Sequence, residues 1–496
     1  MKHTQRSRSA RCYLFLLVLL ASMFSDAQST GNTSPAANSV STPRPFDPGQ
    51  NTTNPSAFAV QTQNPFLGSV PTGALVPGVM PLSLRAAVDM ALRANLGYID
   101  SEQEHAQSRA ARIRALSVLL PQLVVESTEE YRNLVMDSLG TPKLGVPHVV
   151  QGFNYQTAHV SLHQDVLDVH ATYDIRAAKS EQDASQASMA DARNIVVLAA
   201  ASSYLLVAAS QTRLETAKAQ FATATTTDSL LRNRVSHELS PEIDEMRARV
   251  AMRSAELRVT IAATVLQKDK LALTRIIGLP IEQQFVLTDE LTYKDSPASL
   301  LPELLLQATE RRQDLKAAKA RLQSAEQAVK AEQAQRLPTV DVRANAGETG
   351  ITYGHPIRDY EVEGRISLPI FTGRRIESDI LSAKAVLARR RAEFADTQAR
   401  AAFDVRTALL DLAAANTSVE VSVENQALAK EGLRQAKDRF EVGVSNTVDL
   451  IQAQQAVAEA EDNRIASVYA HQLAKLLLIR ATGTAEQDYI NYLGVR

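Results

Sequence analysis

A single cysteine, Cys12, occurs in 496 residues, so the chain can make no disulfide within itself. Tryptophan is missing and aromatic residues reach only 5%. So few large rings argue for long helices packed on helices rather than a compact globule built on aromatic packing. Neither sign of charge prevails, since 53 basic and 55 acidic residues leave a net charge of −2. A nucleic-acid partner, which needs a basic surface, is therefore not expected. No glycine-rich phosphate loop occurs, and no nucleophile is set beside a base. His159 and His163 would lie about 13 Å apart along a strand, too far to share a metal ion. The expectation is no catalytic residue, no cofactor and no metal site.

The apolar run near the N-terminus, at residues 13–24, is too short to anchor in a bilayer. Lys2, Arg6, Arg8 and Arg11 precede it, and Ser25-Asp26-Ala27 follows as a small-x-small cleavage site. Residues 1–27 thus read as a signal peptide. Cys12 lies before the apolar run, whereas a lipid anchor would need its cysteine after it. Residues 28–80 are rich in Asn, Thr, Ser and Pro and are expected to form a disordered leader, a plain spacer.

Glycine is absent from residue 153 to residue 277, and proline occurs there only at Pro241. A helix over residues 169–237 would be on the order of 100 Å long and needs a neighbour along its whole length. Ser240 is expected to cap the returning helix, with Pro241 in its first turn. Gly278-Leu279-Pro280 ends it. Ahead of this hairpin, a helix is expected from about Ser83 past Gly97 to Leu119, stopping at Leu120-Pro121.

The programme then repeats. Arg234/Arg439, Ser240/Ser445, Asp244/Asp449 and Glu256/Glu461 all stand 205 residues apart, and Leu337-Pro338 follows Leu120-Pro121 by 217. The unit is a helix, a β-hairpin and a long helical hairpin. The expected organisation is a first repeat at 81–280, with its β-hairpin at 122–166 and helical hairpin at 169–278. A linker at 281–302 leads to a second repeat at 303–484, with β-hairpin 339–371, helical hairpin 374–482 and a tail at 485–496. In the second β-hairpin Val340, Val342, Ala344 and Ala346 alternate with Asp341, Arg343 and Asn345, and Tyr360, Val362 and Ile366 with Glu361, Glu363 and Arg365.

Four strands cannot close a barrel alone. Alternation of this kind suits a transmembrane barrel with lipid outside and water inside, and equally a soluble sheet packed on a helix. Association of several chains would close the strands and cover the helix seams together.

Four segments carry a resemblance: Leu120-Pro121-Gln122-Leu123, Arg311-Arg312-Gln313-Asp314-Leu315-Lys316, Leu368-Pro369-Ile370-Phe371-Thr372-Gly373-Arg374-Arg375 and Arg439-Phe440-Glu441-Val442-Gly443-Val444-Ser445. With both repeats, over about residues 82–484, the chain resembles the TolC-like outer-membrane efflux family. The resemblance implies a mainly α fold with β, in which long antiparallel helical hairpins form an α-barrel. Four strands per chain would join a trimeric twelve-stranded β-barrel, and the linker and tail would form a belt. It implies a homotrimer in outer-membrane lipid, with the helical barrel in the periplasm, a periplasmic adaptor (membrane fusion) protein and an inner-membrane pump. The function implied is the passive exit duct of a tripartite efflux or type I secretion system. The alternative is an exported structural or adhesive coiled-coil protein without a pore.

The resemblance also marks sites. Asp449 stands at the family's acidic position at the pore aperture, with Asp244 as its counterpart in the first repeat. Where the family has a second acid one turn on, this chain has Gln452. Phe440 lies next to the tip, either constricting the aperture or packing. Asp244 and Asp449 could also simply complement a helix dipole. Val442, Gly443, Val444 and Ser445 form one adaptor-docking tip. His237, Glu238 and Leu239 form the other, with Glu238 in place of the glycine.

Overall fold

The computed structural model describes residues 64–71, 75–135, 148–289, 293, 300–350 and 356–493, so the signal-peptide expectation falls outside the described residues. The order is β1 (Met80–Leu82), α1 (Leu84–Ala94), α2 (Leu96–Ser117), β2 (Gln122–Val135), β3 (Val149–Leu167), α3 (Val169–Ser236), α4 (Glu242–Ile277) and β4 (Phe285–Leu287). The second half follows with α5 (Leu301–Arg311), α6 (Gln313–Ala334), β5 (Thr339–Gly350), β6 (Ile357–Ser367), α7 (Arg375–Glu441), α8 (Thr447–Thr482) and α9 (Ala485–Leu493). At about 1.5 Å per residue, α3 and α7 are each on the order of 100 Å long. Their helical partners touch them along that length, and alanine makes the approach close: Ala184, Ala192, Ala200, Ala201 and Ala224 of α3 are all buried. By length and composition α3 could cross a membrane, but over half of its apolar window is buried inside the chain. It is a core helix.

Sequence reasoning expected one helix ahead of each hairpin, and in the first repeat the structure breaks it at Asn95. There ψ is 129°, and the Asn95 side chain accepts from Gly97 N at 3.0 Å, capping α2. The second repeat breaks at Arg312, 217 residues on. In both places the C-terminal glycine of the long hairpin explains the break. Gly278 (φ 75°) lies so close to α1 that a Cβ on it would stand 2.3 Å from that of Ala94. Gly483 (φ 82°) would meet Arg312 N at 2.8 Å. A larger residue fits neither station.

The leader also ends earlier than its composition suggests. Residues 64–71 dock across the Asn95 break: Asn95 Nδ2 donates to Phe66 O at 2.8 Å, Leu96 N to Gly68 O at 3.0 Å and Val70 N to Ala94 O at 2.8 Å. Phe66 packs on the core, and β1 pairs in parallel with β4. The spacer reading up to Met80 is therefore corrected for this stretch. Its neutral residues are held by backbone hydrogen bonds and one aromatic wedge, which composition does not register.

The two repeats place matching residues in two cores. Ala87, Ala91, Ala200, Leu273 and Ile276 of the first are buried where Leu304, Ala308, Val405, Leu478 and Ala481 are in the second. The first core is larger, because Phe285, Tyr489 and Leu493 of the linker and tail join it. Tyr204 donates to Leu82 O at 3.1 Å and to Asp289 Oδ2 at 3.0 Å, and Leu84 N donates to the same oxygen at 2.6 Å.

The four longer strands form one antiparallel sheet in the order β2-β3-β5-β6. Its register sorts side chains by face. One face stacks Leu123-Leu162-Ala344-Val362 and Val125-Val160-Ala346-Tyr360 in layers across the strands. Val125 is 77% exposed, Val362 72% and Tyr360 85%. The other face stacks Gln122-His163-Arg343-Glu363, Val124-Ser161-Asn345-Glu361 and Glu126-His159-Gly347-Asp359. β2 and β6 are edges, each with one side unpaired in the sheet.

Candidate pore mouth at the hairpin tips

The two hairpin turns share one backbone form. At the first, His237 N donates to Asn233 O at 3.2 Å, Glu238 N to Val235 O at 2.9 Å and Leu239 N to Arg234 O at 2.8 Å. At the second, Val442 N donates to Asp438 O at 3.3 Å, Gly443 N to Phe440 O at 3.2 Å and Val444 N to Arg439 O at 2.9 Å. This is a left-handed C-terminal cap that satisfies the last carbonyls of each long helix. Glu238 (φ 56°) therefore sits in the left-handed region where Gly443 (φ 79°) sits in the other copy. Its departure from glycine changes the chemistry of the tip, not its path, at a cost of about 1 kcal/mol. His237, Glu238 and Leu239 are exposed, as are Val442, Gly443 and Val444, while Ser445 is half-buried.

The acidic residues past the turns differ in setting. Asn446 caps α8 by accepting from Asp449 N at 2.9 Å, and Ser445 Oγ donates to Asp449 Oδ2 at 2.7 Å. Asp449 is exposed and meets no cation at ion-pair distance among the described residues. Asp244 is half-buried and lies 3.3 Å from the Arg247 guanidinium. The expected Ser240 cap is corrected: Pro241 holds the cap position with no side-chain bond, and α4 begins at Glu242. Its first turn relies instead on Glu242, Asp244 and Glu245, whose charges complement the helix dipole.

Phe440 is 5% exposed and packs with Leu231, Ala248, Leu433 and Leu450 between the two hairpins. The Arg234 guanidinium lies 4.8 Å from its ring centroid. Of the two expectations for Phe440, the packing one describes its surroundings in this chain. Gln452 is exposed and lines a 620 Å³ groove between α3, α4 and α8, with Ile243, Met246, Val250, Val448 and Ile451.

Sequence reasoning missed the ion pairs that join the helices. Near the first tip, Arg232 reaches buried Asp228 at 2.6 Å and Glu245 of α4 at 3.6 Å, and Glu245 also binds Arg249. At the second helix break, Arg312 is 4% exposed and bonds Asp314 at 2.7 Å and Asp404 of α7 at 2.8 Å. Burial opposes its charge, yet the two carboxylates outweigh burial and raise its pKa. Burial likewise opposes ionisation of Asp314, but Arg312 and Arg480 hold its carboxyl below the usual range. Asp191 goes the other way, since burial raises it despite Arg480 at 2.9 Å. The motif Arg311-Arg312-Gln313-Asp314 was visible in the sequence. Its role as a clamp needed Asp404, 92 residues on.

A sheet with one apolar and one charged face, set on two helical hairpins of about 100 Å, is the architecture that the resemblance implies. The comparisons agree. The fold superposes on a membrane protein from Pseudomonas aeruginosa with a TM-score of 0.72 at 21% identity, over 84% of this chain and 95% of that one. It superposes on the outer membrane protein VceC from Vibrio cholerae with a TM-score of 0.70 at 21% identity, over 81% and 96%. With the CmeC outer membrane channel of Campylobacter jejuni the TM-score is 0.72 at 18% identity, over 85% and 92%. Residues 304–484 match the family model described as outer membrane efflux protein. The outer membrane efflux protein BepC of Brucella suis biovar 1 (strain 1330) is 26% identical over 165 residues, which is 33% of this chain and 36% of BepC. The match spans about a third of that relative's length. The resemblance to the TolC-like outer-membrane efflux family is thus borne out, in sequence for the second repeat and in fold for both.

Proposed function

We propose that the chain is the outer-membrane exit duct of a tripartite efflux or type I secretion system. It is a passive conduit for small molecules or proteins, driven by an inner-membrane pump. The sorted sheet carries this reading. A face as apolar and exposed as that of Val125, Val362 and Tyr360 needs lipid, and its charged reverse needs water. The open edges of β2 and β6 need strands from other copies, and three copies supply a barrel of twelve. The helical hairpins then extend into the periplasm, with Asp449, Asp244 and Gln452 at the aperture. The tips His237-Glu238-Leu239 and Val442-Gly443-Val444-Ser445 meet the periplasmic adaptor.

The rival reading, an exported coiled-coil rod, has no use for a sheet with an exposed apolar face. Membrane fractionation followed by planar-bilayer conductance separates the two. The duct reading expects an outer-membrane trimer that conducts, and a soluble protein or a silent bilayer would refute it. Cross-linking from cysteines placed at Leu239 and Val444 then identifies the adaptor.

A further inference from the structure

The charged face of the sheet carries two histidines that the exit-duct reading leaves unused. His159 and His163 lie on β3, two layers apart, and both point to the same side as the carboxylates. The His159 ring reaches over β5 to β6, where its Nε2 stands 2.9 Å from Asp359 Oδ1. Gly347 makes that reach possible, because it is the β5 residue in that layer and a Cβ on it would stand 2.7 Å from His159 Cδ2. Asp359 is held in turn by Thr349 Oγ1 at 3.3 Å. His163 Nε2 lies 3.5 Å from Asp165 Oδ1.

The groups around both rings are mostly acidic. His159 faces Glu126 from β2 and Asp359 from β6, with Glu361 one layer away. His163 faces Arg343 from β5, with Glu363 from β6 in the same layer, itself paired with Arg365 at 2.8 Å, and Asp165 on its own strand. Arg343 is itself 3.2 Å from Asp341, so its charge is partly answered. A lumen lined in this way favours cations.

We propose that His159 and His163 make the ion preference of the β-barrel depend on pH. Imidazole is the side chain that ordinarily changes charge between pH 5 and 8. In a trimer, six imidazoles on the water-facing wall gain positive charge on acidification, and each sits beside a carboxylate whose field it cancels. The barrel selects cations at pH 8 and loses that selectivity toward pH 5. The inference rests on the reading of the chain as a trimeric channel, and it adds residues inside the barrel, far along the chain from the aperture acids.

Reversal potentials in a KCl gradient across planar bilayers test it. For the trimer, the cation-to-anion permeability ratio should fall by about twofold or more between pH 8 and pH 5. In His159→Gln/His163→Gln most of that fall should disappear, leaving the smaller change due to carboxylate protonation. An undiminished fall in the double variant would overturn the proposal, as would a parent channel whose ratio does not move. If the double variant fails to assemble, His163→Gln alone should remove about half of the change, and no reduction there also counts against it. A protein silent at every pH overturns the duct reading itself, a result distinct from a channel that conducts without pH dependence.

Discussion

Arg312→Leu tests the clamp at the second helix break. The guanidinium is 4% exposed and bonds Asp314 at 2.7 Å and Asp404 at 2.8 Å, with a further bond to Ala481 O at 3.5 Å. Removing one member of a buried ion pair costs about 3–5 kcal/mol, because the charge left behind is desolvated and unpaired. Asp404 is 37% exposed on its side chain and Asp314 24%, so water recovers part of that loss. About 3 kcal/mol is the expected cost. For a chain of this length that corresponds to a fall in Tm of about 3 °C, read by far-UV circular dichroism in detergent. The triple variant Arg312→Leu/Asp314→Asn/Asp404→Asn should recover part of it, since no unpaired carboxylate remains. Asp314 adds a pH signature. Its folded pKa lies below the unfolded value, so its contribution is complete above about pH 4 and is lost as pH falls through the folded value. Arg312→Leu should flatten that acid limb. A single variant as stable as the parent at neutral pH, or a triple variant no better than the single, would refute the clamp.

The tips give three more expectations. Glu238→Gly should slow hydrogen exchange at the first turn by relieving about 1 kcal/mol of left-handed strain, and Gly443→Glu should do the reverse at the second. Exchange unchanged in both would mean that the turn tolerates a side chain freely. Phe440→Ala should destabilise the tip region by about 3–4 kcal/mol while leaving single-channel conductance nearly unchanged; a large conductance change at intact stability would place Phe440 at the aperture. Asp449→Ala should weaken block by divalent cations more than Asp244→Ala, because Arg247 already answers the Asp244 charge. Equal effects would contradict that asymmetry.

The long hairpins were legible because nothing interrupts them. A glycine-free stretch with one proline leaves few alternatives to continuous helix, and the 205-residue register locates both turns. The sheet faces were legible for the same reason, since period-two alternation in β6 survives without help from distant residues. What escaped notice depends on contacts between remote segments. Asn95, a residue type favoured at caps, and Gly97 were local hints at the first break, but sequence reasoning carried the helix through them. The break follows from Gly278 pressing on Ala94 and from Phe66 lying against Gly97. Phe440 sits two residues before the exposed tip, so its burial shows only when Leu231 and Leu450 arrive from other helices. At the candidate site, the pairing that separates Asp244 from Asp449 is local: Arg247 stands three residues after the first acid and Gln452 three after the second, so the difference could have been read from helical spacing.

The glycines at the hairpin ends have a consequence for how such a chain could arise. Gly278 returns to the helix break of its own repeat, and Gly483 to that of its own. Each unit is a closed circuit that brings its exit back to its entrance. Copying one unit therefore copies its closure, and the duplicate needs only a connector to be complete. Once doubled, each circuit is free to fasten itself in its own way. The first did so with an amide and a borrowed strap of upstream chain, the second with a guanidinium between two carboxylates.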